Sequence, residues 1–433
     1  MPTPSLILVP ARFKTGKLYT PLATTSGGVV LGASGDFNVT RATTATRVNA
    51  SGFIEVVASG IPRLDYPLGG GCPALLVEPS GSNLVVQSEN WLASGWRSDA
   101  TANVTTVSAT TGTLDPYGTN TANAISPTSG NTSHTKVGND SATTFTSGTV
   151  YTASAFFKQG VGNAGRYVQI FWAPTRFASN TFANFDLQLG TVALVTGSTV
   201  TADIENYGNG WYRCRCTNTC ISTGTGANGL SIALIETSGS TRASIFTGTT
   251  TDVLYGWGAQ TETGSIATSY IPTTTASATR NAEVISLSGA VSGCIGQTEG
   301  TIYLETNSLV SGASDLFCFA RATTNTVSIS KNSSNIIQAT VYTSGLALNI
   351  AASGTVSGNM KIAFAYKSGS SALYINGVPI GTSSTAFSFT AALTQININP
   401  TVFFEGRGNQ RISALPLYTT RLTDPELADL TTL

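Results

Sequence analysis

Apolar and polar residues alternate in short runs along almost the whole chain. Typical runs are VYTASAFFKQG, NFDLQLGTVAL and TDVLYGWGAQ, separated by Gly, Asn, Ser and Pro. Alternation with a period of two, bounded by turn residues, indicates β-strands, and many such strands in succession are typical of sandwiches and barrels. No long amphipathic helical pattern occurs. The pattern therefore predicts an all-β fold built from antiparallel sandwiches of the jelly-roll type.

The strands fall into two sets, one ending near residue 262 and one beginning near residue 286. Between them, Pro272 disfavours a helix, because proline fixes φ and has no backbone N–H to donate. The Thr-rich run after it has too little apolar surface to form a packed core. The first 85 residues are less regular than the rest. We expect four regions: a small irregular N-terminal adaptor (1–85), a β-sandwich (86–271), a connector (272–285) and a second jelly roll (286–433).

Two local signals in the second sandwich are specific. Asn376-Gly377 lies between apolar runs and predicts a two-residue type I′ hairpin, which needs positive φ at both positions. Thr423 with Glu426 three residues later predicts a capping box. One short helix should therefore follow Thr423 near the C-terminus.

Charge narrows the classes of partner. Only 10% of the 433 residues are charged, and 22 basic residues balance 22 acidic ones. A net charge of zero without a basic cluster argues against nucleic acid or an anionic membrane as a partner. The N-terminal sequence MPTPSLILVPARFK holds an apolar run too short for a signal peptide or a membrane span. We expect a soluble protein that has no cleavable leader.

The cysteine spacing favours free thiols over disulfides or a metal site. Cys214 and Cys216 lie on the same face of one predicted strand, where a bridge between them is poor. The spacing C-x-C-x₃-C is not a zinc pattern, and His134 is the only histidine in the chain. Free, mostly buried thiols fit assembly in a reducing cytoplasm.

No motif for catalysis stands out, and we expect a protein that is not an enzyme. Gly160 to Gly165 match G-x-G-x-x-G, but a strand follows where a nucleotide site needs a helix, so a hairpin loop is expected. His134 is expected in a surface loop. The pairs Asp203 with Glu205 and Asp424 with Glu426 leave glycoside hydrolysis open as an alternative, because that reaction needs two carboxyl groups.

Aromatic residues on a scaffold of low charge are candidates for sugar binding. Sugars stack on aromatic rings while polar side chains bond their hydroxyls. Alternation places Trp211, Arg213 and Arg215 on one strand face and Cys214 with Cys216 on the other, so a cysteine-lined core would leave Trp211 facing outward. The alternative is an aromatic residue that fills the core or its rim. The carbohydrate-binding candidates are Trp172, Trp211, Arg213, Trp91 and Trp96.

Four segments of the chain resemble virion proteins of tailed bacteriophages. These segments are TRATTATRVNASGFIEVVASGIPRLDYP with CPALLVEPSGSNLVVQSENW, NFDLQLGTVALVTGSTVTADIENYGNGWYRC, YGWGAQTETGSIATSYIPTTTASATRNAEV and SALPLYTTRLTDPELADL. Together they span residues 40 to 430 with gaps. The most specific parts are Gly-Trp-Gly-Ala-Gln and Ser-Tyr-Ile-Pro-Thr.

The resemblance implies a carbohydrate-binding-module-like sandwich followed by a laminin-G-like one, in a fibre, spike or capsid appendage. It implies a protein on the virion surface, assembled in the bacterial cytoplasm. We expect a homotrimer that binds host glycans and docks onto other virion proteins through its N-terminal region. A capsid decoration or head-fibre protein with a mainly structural role is the alternative. No cofactor is expected; lectin-like jelly rolls often hold calcium, but no acidic cluster here is dense enough to assign ligands.

Overall fold

A computed structural model gives the structure of the chain. It describes residues 2–24, 30–31, 35–96, 104–108, 112–138, 143–225, 230–308, 314–321, 325–332, 334–355, 358–398 and 409–433. The predicted all-β class is confirmed, because antiparallel strands dominate and one α-helix, α1 (Asp424–Thr431), lies near the C-terminus. Among the described residues, no helix is long and apolar enough to cross a membrane.

The strands before residue 81 are β1 (Leu6–Leu8), β2 (Phe13–Lys14), β3 (Lys17–Leu18), β4 (Leu22–Ala23), β5 (Phe37–Thr40), β6 (Ala45–Val48), β7 (Ile54–Val57), β8 (Arg63–Asp65) and β9 (Ala74–Val77). Those from 81 to 280 are β10 (Gly81–Asn83), β11 (Val104–Ser108), β12 (Asn123–Pro127), β13 (Asn131–Ser133), β14 (Thr135–Val137), β15 (Thr144–Phe145), β16 (Val150–Gln159), β17 (Tyr167–Phe171), β18 (Phe182–Asp186), β19 (Thr191–Thr196), β20 (Thr201–Asn206), β21 (Trp211–Thr219), β22 (Gly224–Thr225), β23 (Ser231–Ile235), β24 (Ile245–Thr247), β25 (Leu254–Thr263) and β26 (Ala278–Arg280). Those that follow are β27 (Val284–Ser288), β28 (Glu299–Ser308), β29 (Ser314–Arg321), β30 (Asn325–Lys331), β31 (Ile337–Thr343), β32 (Leu346–Ala351), β33 (Gly358–Lys367), β34 (Ser371–Ile375), β35 (Val378–Ser383), β36 (Gln395–Ile398) and β37 (Gln410–Tyr418), and a 3₁₀ helix spans Ala290–Cys294.

The chain forms two compact units whose boundaries differ from the predicted regions. Unit 1 comprises Met1–Ala50, Val56–Ser80 and Asn281–Leu433, and unit 2 comprises Ser51–Glu55 and Gly81–Arg280. The N-terminal 85 residues are therefore not a separate adaptor. Most of them belong to the same unit as the C-terminal jelly roll.

Unit 1 is a sandwich of two nine-stranded sheets. Sheet A has the order β35-β34-β33-β28-β37-β1-β4, with β9 on β37 and β8 on β9, and sheet B has the order β2-β3-β5-β27-β36-β29-β30-β31-β32. Alternating residues such as Ile285 and Leu287 of β27 point into one continuous apolar core between the sheets. The helix α1 covers part of the outside of sheet A, where Leu427 is fully buried.

The N-terminal strands complete both sheets of unit 1, which explains why the adaptor prediction is wrong. Leu6 of β1 lies opposite Leu417 of β37, and Val39 of β5 lies opposite Ile285 of β27. Leu6, Leu8 and Leu18 have no exposed surface. Burying these side chains stabilises the sandwich, whereas a free adaptor would leave them in water.

A buried network of ion pairs joins the N-terminal segments of unit 1 to the start of its C-terminal segment. The guanidinium of Arg63 contacts Glu283 at 2.8 Å and Glu78 at 2.7 Å, and Arg41 contacts Glu283 at 3.1 Å. All four side chains are at most 1% exposed. Burial alone would lower the pKa of Arg63, but attraction to Glu283 and Glu78 outweighs it and raises that pKa. The two positive and two negative charges therefore balance inside the protein.

Unit 2 is a second sandwich. Its six-stranded sheet has the order β11-β12-β25-β16-β21-β20 and its five-stranded sheet the order β14-β23-β17-β18-β19. Between them lies an apolar core that includes Cys214, Cys216 and Trp172. The prediction that the cysteine face of β21 points into the core is confirmed. The five cysteines whose side chains are described are free, and the side chain of Cys318 lies outside the described part.

The segment after β25 folds back over the outer face of the six-stranded sheet. Thr268 bonds the carboxylate of Glu262 through its backbone N–H and its hydroxyl, and the N–H of Ile271 donates to Gln260 Oε1 at 2.7 Å. The ring of Tyr270 packs on Trp257 at 4.6 Å. The predicted connector 272–285 is in part ordered structure, because β26 pairs with β10 and Thr273 is buried.

Local packing and backbone geometry explain why glycine is needed at both ends of the Gly-Trp-Gly sequence in β25. Gly256 lies against the ring of Trp91, where a larger residue would collide with it. Gly258 has a φ of +63°, in the left-handed region that favours glycine, and lies at a register shift between β16 and β25. The two glycines therefore allow close packing and a β-bulge.

Both local predictions for the second sandwich are confirmed. Asn376 and Gly377 have φ values of 52° and 79°, and Ile375 pairs with Val378 across this turn. Thr423 and Glu426 form the capping box at the start of α1. The backbone geometry of these sites depends on nearby residues alone, so the sequence was sufficient to predict them.

The ion network of unit 1 generates a stability prediction. Arg63→Ala should lower the free energy of unfolding by about 3–5 kcal/mol, because it leaves Glu283 and Glu78 buried without their partner. Arg12→Ala, at an exposed position, should change it by less than about 0.5 kcal/mol. Denaturant unfolding of the full chain measures both values, and equal small effects would contradict the role of the network.

Candidate functional site

The sequence-predicted tryptophan platforms are buried. Trp172 is 0% exposed; its indole N–H donates to Cys216 Sγ at 3.2 Å and its ring packs on Phe177 at 4.4 Å. Trp91 and Trp96 stack on each other at 4.9 Å and donate to backbone carbonyls of residues 86–88. These three side chains belong to the core of unit 2, so the platform hypothesis is wrong for them.

Trp211 and Arg213 lie on the predicted face of β21, but that face is covered. Trp211 is 1% exposed, and its indole N–H donates to the carbonyl of Leu114 at 2.8 Å. Arg213 is also 1% exposed; it donates to the carbonyl of Thr268 and to Ser154 Oγ. Alternation along a strand predicts the face and not what packs on it, which is why the predicted exposure is wrong.

A loop organised by one carboxylate covers this face. Asp115 accepts hydrogen bonds from the N–H of Tyr117 and from the hydroxyls of Thr119 and Thr121. Thr121 in turn accepts the indole N–H of Trp257 at 3.2 Å. The loop is therefore held in place by its own side chains and closes over the aromatic residues beneath it.

The edge of the covered cluster still reaches solvent. Tyr117, Tyr207 and Tyr255 pack against the cluster of Phe156, Trp211, Trp257 and Tyr270 but are only partly buried. We call these three residues the tyrosine surface. Lys158 lies directly opposite Tyr255 on the neighbouring strand, and Tyr207 packs edge-on against Phe156 at 4.8 Å. A partly exposed ring beside polar groups is the arrangement that sugar stacking requires.

Charged residues flank the tyrosine surface on β20 and β21. The guanidinium of Arg215 bonds both Asp203 and Glu205. Its pKa is raised, because attraction to Glu205 and Asp203 outweighs the lowering effect of burial. Asp203 and Glu205 are the first acidic pair that the sequence suggested for hydrolysis. Both carboxylates are therefore engaged in ion pairs with Arg215.

The second acidic pair has a structural role as well. Asp424 pairs with Arg421 at 2.6 Å, and Glu426 bonds the backbone N–H and hydroxyl of Thr423 in the helix cap. These bonds lower the pKa of Glu426. Both carboxylates therefore stabilise the start of α1.

Glu89 and two tyrosine hydroxyls form a polar cluster beside the loop. Tyr270 Oη donates to Glu89 at 3.1 Å and lies 2.6 Å from Ser88 Oγ. Burial raises the pKa of Glu89, and the bond from Tyr270 offsets part of that rise. Burial, Glu89 and Asp115 raise the pKa of Tyr117, whose buried hydroxyl makes no hydrogen bond within the described residues.

His134 differs from its prediction as a surface residue. It is fully buried, its ring packs on Phe246 at 4.5 Å, and its Nε2 lies 3.3 Å from the carbonyl oxygen of Phe246. Residues 160–165, by contrast, form the predicted loop, closed by a hydrogen bond from the N–H of Gly160 to the carbonyl of Gly165. Across the described ranges, no group of three or more His, Cys, Asp or Glu side chains is placed to hold a metal ion.

Sequence reasoning missed the tyrosine surface. Tyr207 precedes the turn Gly208-Asn209-Gly210, in which all three residues have positive φ, and this turn positions it beside β21. The segment ENYGNGW could have drawn attention to Tyr207, because a tyrosine next to a tight turn at a strand end is often partly exposed. Tyr255 gave no comparable signal, since it lies within a buried strand.

Comparisons with known proteins show partial likeness to solved jelly-roll domains. The matches include the carbohydrate-binding module of a Ruminococcus gnavus trans-sialidase bound to sialyllactose (15% identity, 32% of this chain, 84% of that chain, TM-score 0.28). They also include domain 4 of a Geobacillus stearothermophilus arabinanase with arabinotriose (16%, 39%, 82%, 0.30) and a leech trans-sialidase (17%, 32%, 24%, 0.28).

The chain thus spans about a quarter of the leech enzyme's length. At these TM-scores the matches carry no argument about function. No model of a protein family matches the chain, and no curated protein matches it either.

The buried tryptophans generate a second prediction. Trp172→Ala and Trp211→Ala should each lower the free energy of unfolding by about 3–5 kcal/mol, because each leaves a cavity in a packed cluster. Leu189→Ala, at a side chain that is 67% exposed, serves as the control. Unchanged melting temperatures for the tryptophan variants would contradict their burial.

Glu89 generates a pH prediction. A carboxyl group whose pKa is raised by folding contributes stability below its unfolded pKa, and that contribution is lost as pH rises through its folded pKa. The melting temperature of wild type relative to Glu89→Gln should therefore fall as the pH rises above about 4.5, the ordinary pKa of a glutamate. A difference between the two proteins that does not vary with pH would show that Glu89 titrates as it does in the unfolded chain.

Proposed function

We propose that this chain is a surface protein of a tailed-bacteriophage particle that binds host glycans without catalysing a reaction. The four segments that resemble virion proteins support the phage assignment. The tyrosine surface supports the glycan assignment, because Tyr207 and Tyr255 present ring surface beside Lys158 and the charged side chains of β20. Rings of this kind stack on sugars, and the polar groups bond sugar hydroxyls.

The proposal places the chain on the outside of the particle after assembly in the bacterial cytoplasm. Free buried thiols such as Cys214 and Cys216 fit folding in a reducing compartment. Contact with other virion proteins would use the surface of unit 1, because its N-terminal strands are part of that sandwich. Self-association into an oligomer would let several weak sites act together.

A second candidate function is capsid decoration with a mainly structural role. All five tryptophans are buried in packed clusters. Their rings stabilise the fold and are not accessible to a glycan. In that case the sandwiches would coat or join the particle, and sugar binding would be incidental.

Paired tyrosine variants test the glycan proposal. Tyr207→Ala with Tyr255→Ala should weaken binding to host surface polysaccharide at least about tenfold, since each lost stacking contact is worth about 1 kcal/mol. The partly buried Tyr342→Ala in unit 1 is the matched control. Adsorption of the protein to host cells measures binding, and the melting temperature shows whether each variant is folded. A folded double variant that binds host cells as well as wild type would contradict the glycan proposal and favour the capsid-decoration role.

A further inference from the structure

The first hairpin of unit 1 carries an unusual concentration of positive charge. The first 35 residues contain Arg12, Lys14 and Lys17 and no Asp or Glu. Arg12 and Lys14 are exposed and Lys17 is partly exposed. Within the described ranges, no carboxylate forms an ion pair with any of the three.

The register of the hairpin forces two of these charges together. Lys14 of β2 lies directly opposite Lys17 of β3. Their neighbours Phe13 and Leu18 point toward the core, so both lysines lie on the outer face of sheet B. Side chains in such a pair have Cβ atoms about 4.5–5.5 Å apart, and like charges there repel each other. An anion between the two ammonium groups would turn this repulsion into attraction.

A polar row continues from this pair across sheet B. Lys17 lies opposite Asn38, Asn38 opposite Ser286, and Ser286 opposite Asn397. With neighbouring strands about 4.8 Å apart, the row from Lys14 to Asn397 is about 19 Å long. We call these five residues the outer row.

The side chains of the outer row are available to a ligand. Asn38 is exposed, and Ser286 and Asn397 are partly exposed. In the part of the chain that the structure describes, none of the three side chains makes a hydrogen bond. The row thus offers two cations at one end, followed by amide and hydroxyl groups that both donate and accept.

A protective role alone does not account for this arrangement. Lysine on an edge strand prevents pairing with other chains, and β2 is the edge of sheet B. Only Lys14 of the pair lies on that edge strand. The second lysine, directly opposite the first, adds repulsion without further protection.

We propose that the outer row binds an anionic polysaccharide, one whose sugars carry carboxylate or phosphate groups. Lys14 and Lys17 would bind the acidic group, and Asn38, Ser286 and Asn397 would bond the hydroxyls of neighbouring sugars. Amide and hydroxyl groups along the row favour a sugar polymer over an acidic peptide. This site lies in unit 1 and is separate from the tyrosine surface.

Charge reversal tests the cationic end of the row. The full chain is titrated with polygalacturonate and with its methyl ester, which keeps the sugar backbone but removes the charge. Lys14→Glu with Lys17→Glu should weaken binding of polygalacturonate at least about tenfold, because it removes charge-assisted hydrogen bonds. Wild-type binding should also weaken as salt is added, and the methyl ester should bind poorly.

The matched control makes the same change in net charge elsewhere in unit 1. Lys361→Glu with Lys367→Glu should retain wild-type affinity for polygalacturonate. Unchanged binding by the Lys14/Lys17 variant, or equal loss in the control, would overturn the proposal. Melting temperatures show that each variant is folded.

The amide part of the row separates a sugar ligand from any other polyanion. Asn38→Ala with Asn397→Ala should weaken binding of polygalacturonate and leave any binding of polyglutamate unchanged. Equal or tighter binding of polyglutamate or single-stranded DNA by the wild-type chain would overturn the sugar assignment.

Phosphate-bearing and carboxylate-bearing polysaccharides are distinguished by competition with a poly(glycerol phosphate) polymer. The Tyr207/Tyr255 variant should bind polygalacturonate normally, so failure of either proposal is visible separately.

Discussion

The buried contact of Arg63 with Glu78 and Glu283 is the interaction on which unit 1 depends. Burying charges is costly, and these are tolerated because each is paired and bonded inside the protein. Arg63 and Glu78 come from the N-terminal segments, whereas Glu283 lies near the start of the C-terminal one. The ion pairs therefore fix where the chain re-enters unit 1 after residue 280. The register of β5 on β27, which places Asn38 opposite Ser286, lies next to that point.

In both units, segments outside the sandwich core cover parts of a sheet's outer face. Residues 112–122 and 264–273 cover aromatic and polar side chains of unit 2, and α1 covers tyrosines of unit 1. This second layer of burial explains how Trp211 and Trp257, which lie outside the core between the sheets, are kept away from water. It also limits the surfaces on which a ligand could bind. The tyrosine surface and the outer row consist of side chains that stay partly or fully exposed.

Sequence predicted the features that depend on neighbouring residues. The all-β class, the Asn376-Gly377 turn, the helix cap at Thr423 and the inward face of Cys214 all follow from periodicity or local backbone preference. It failed where distant segments meet. Neither the pairing of β1 with β37 nor the covering of Trp211 leaves a trace in local pattern, since each depends on residues more than ninety positions away. The opposition of Lys14 and Lys17 was visible in KTGK, but the row beyond it needed the sheet order.

The central claim is that the N-terminal residues are part of the C-terminal sandwich, because both the ion network and the outer row depend on it. Hydrogen–deuterium exchange of the full chain measures this directly. Amides of β1 and β5 should exchange as slowly as those of β37 and β27, since their hydrogen bonds open together. Rapid exchange in residues 6–40 beside a protected β37 would contradict the account and return this segment to the role of a separate adaptor.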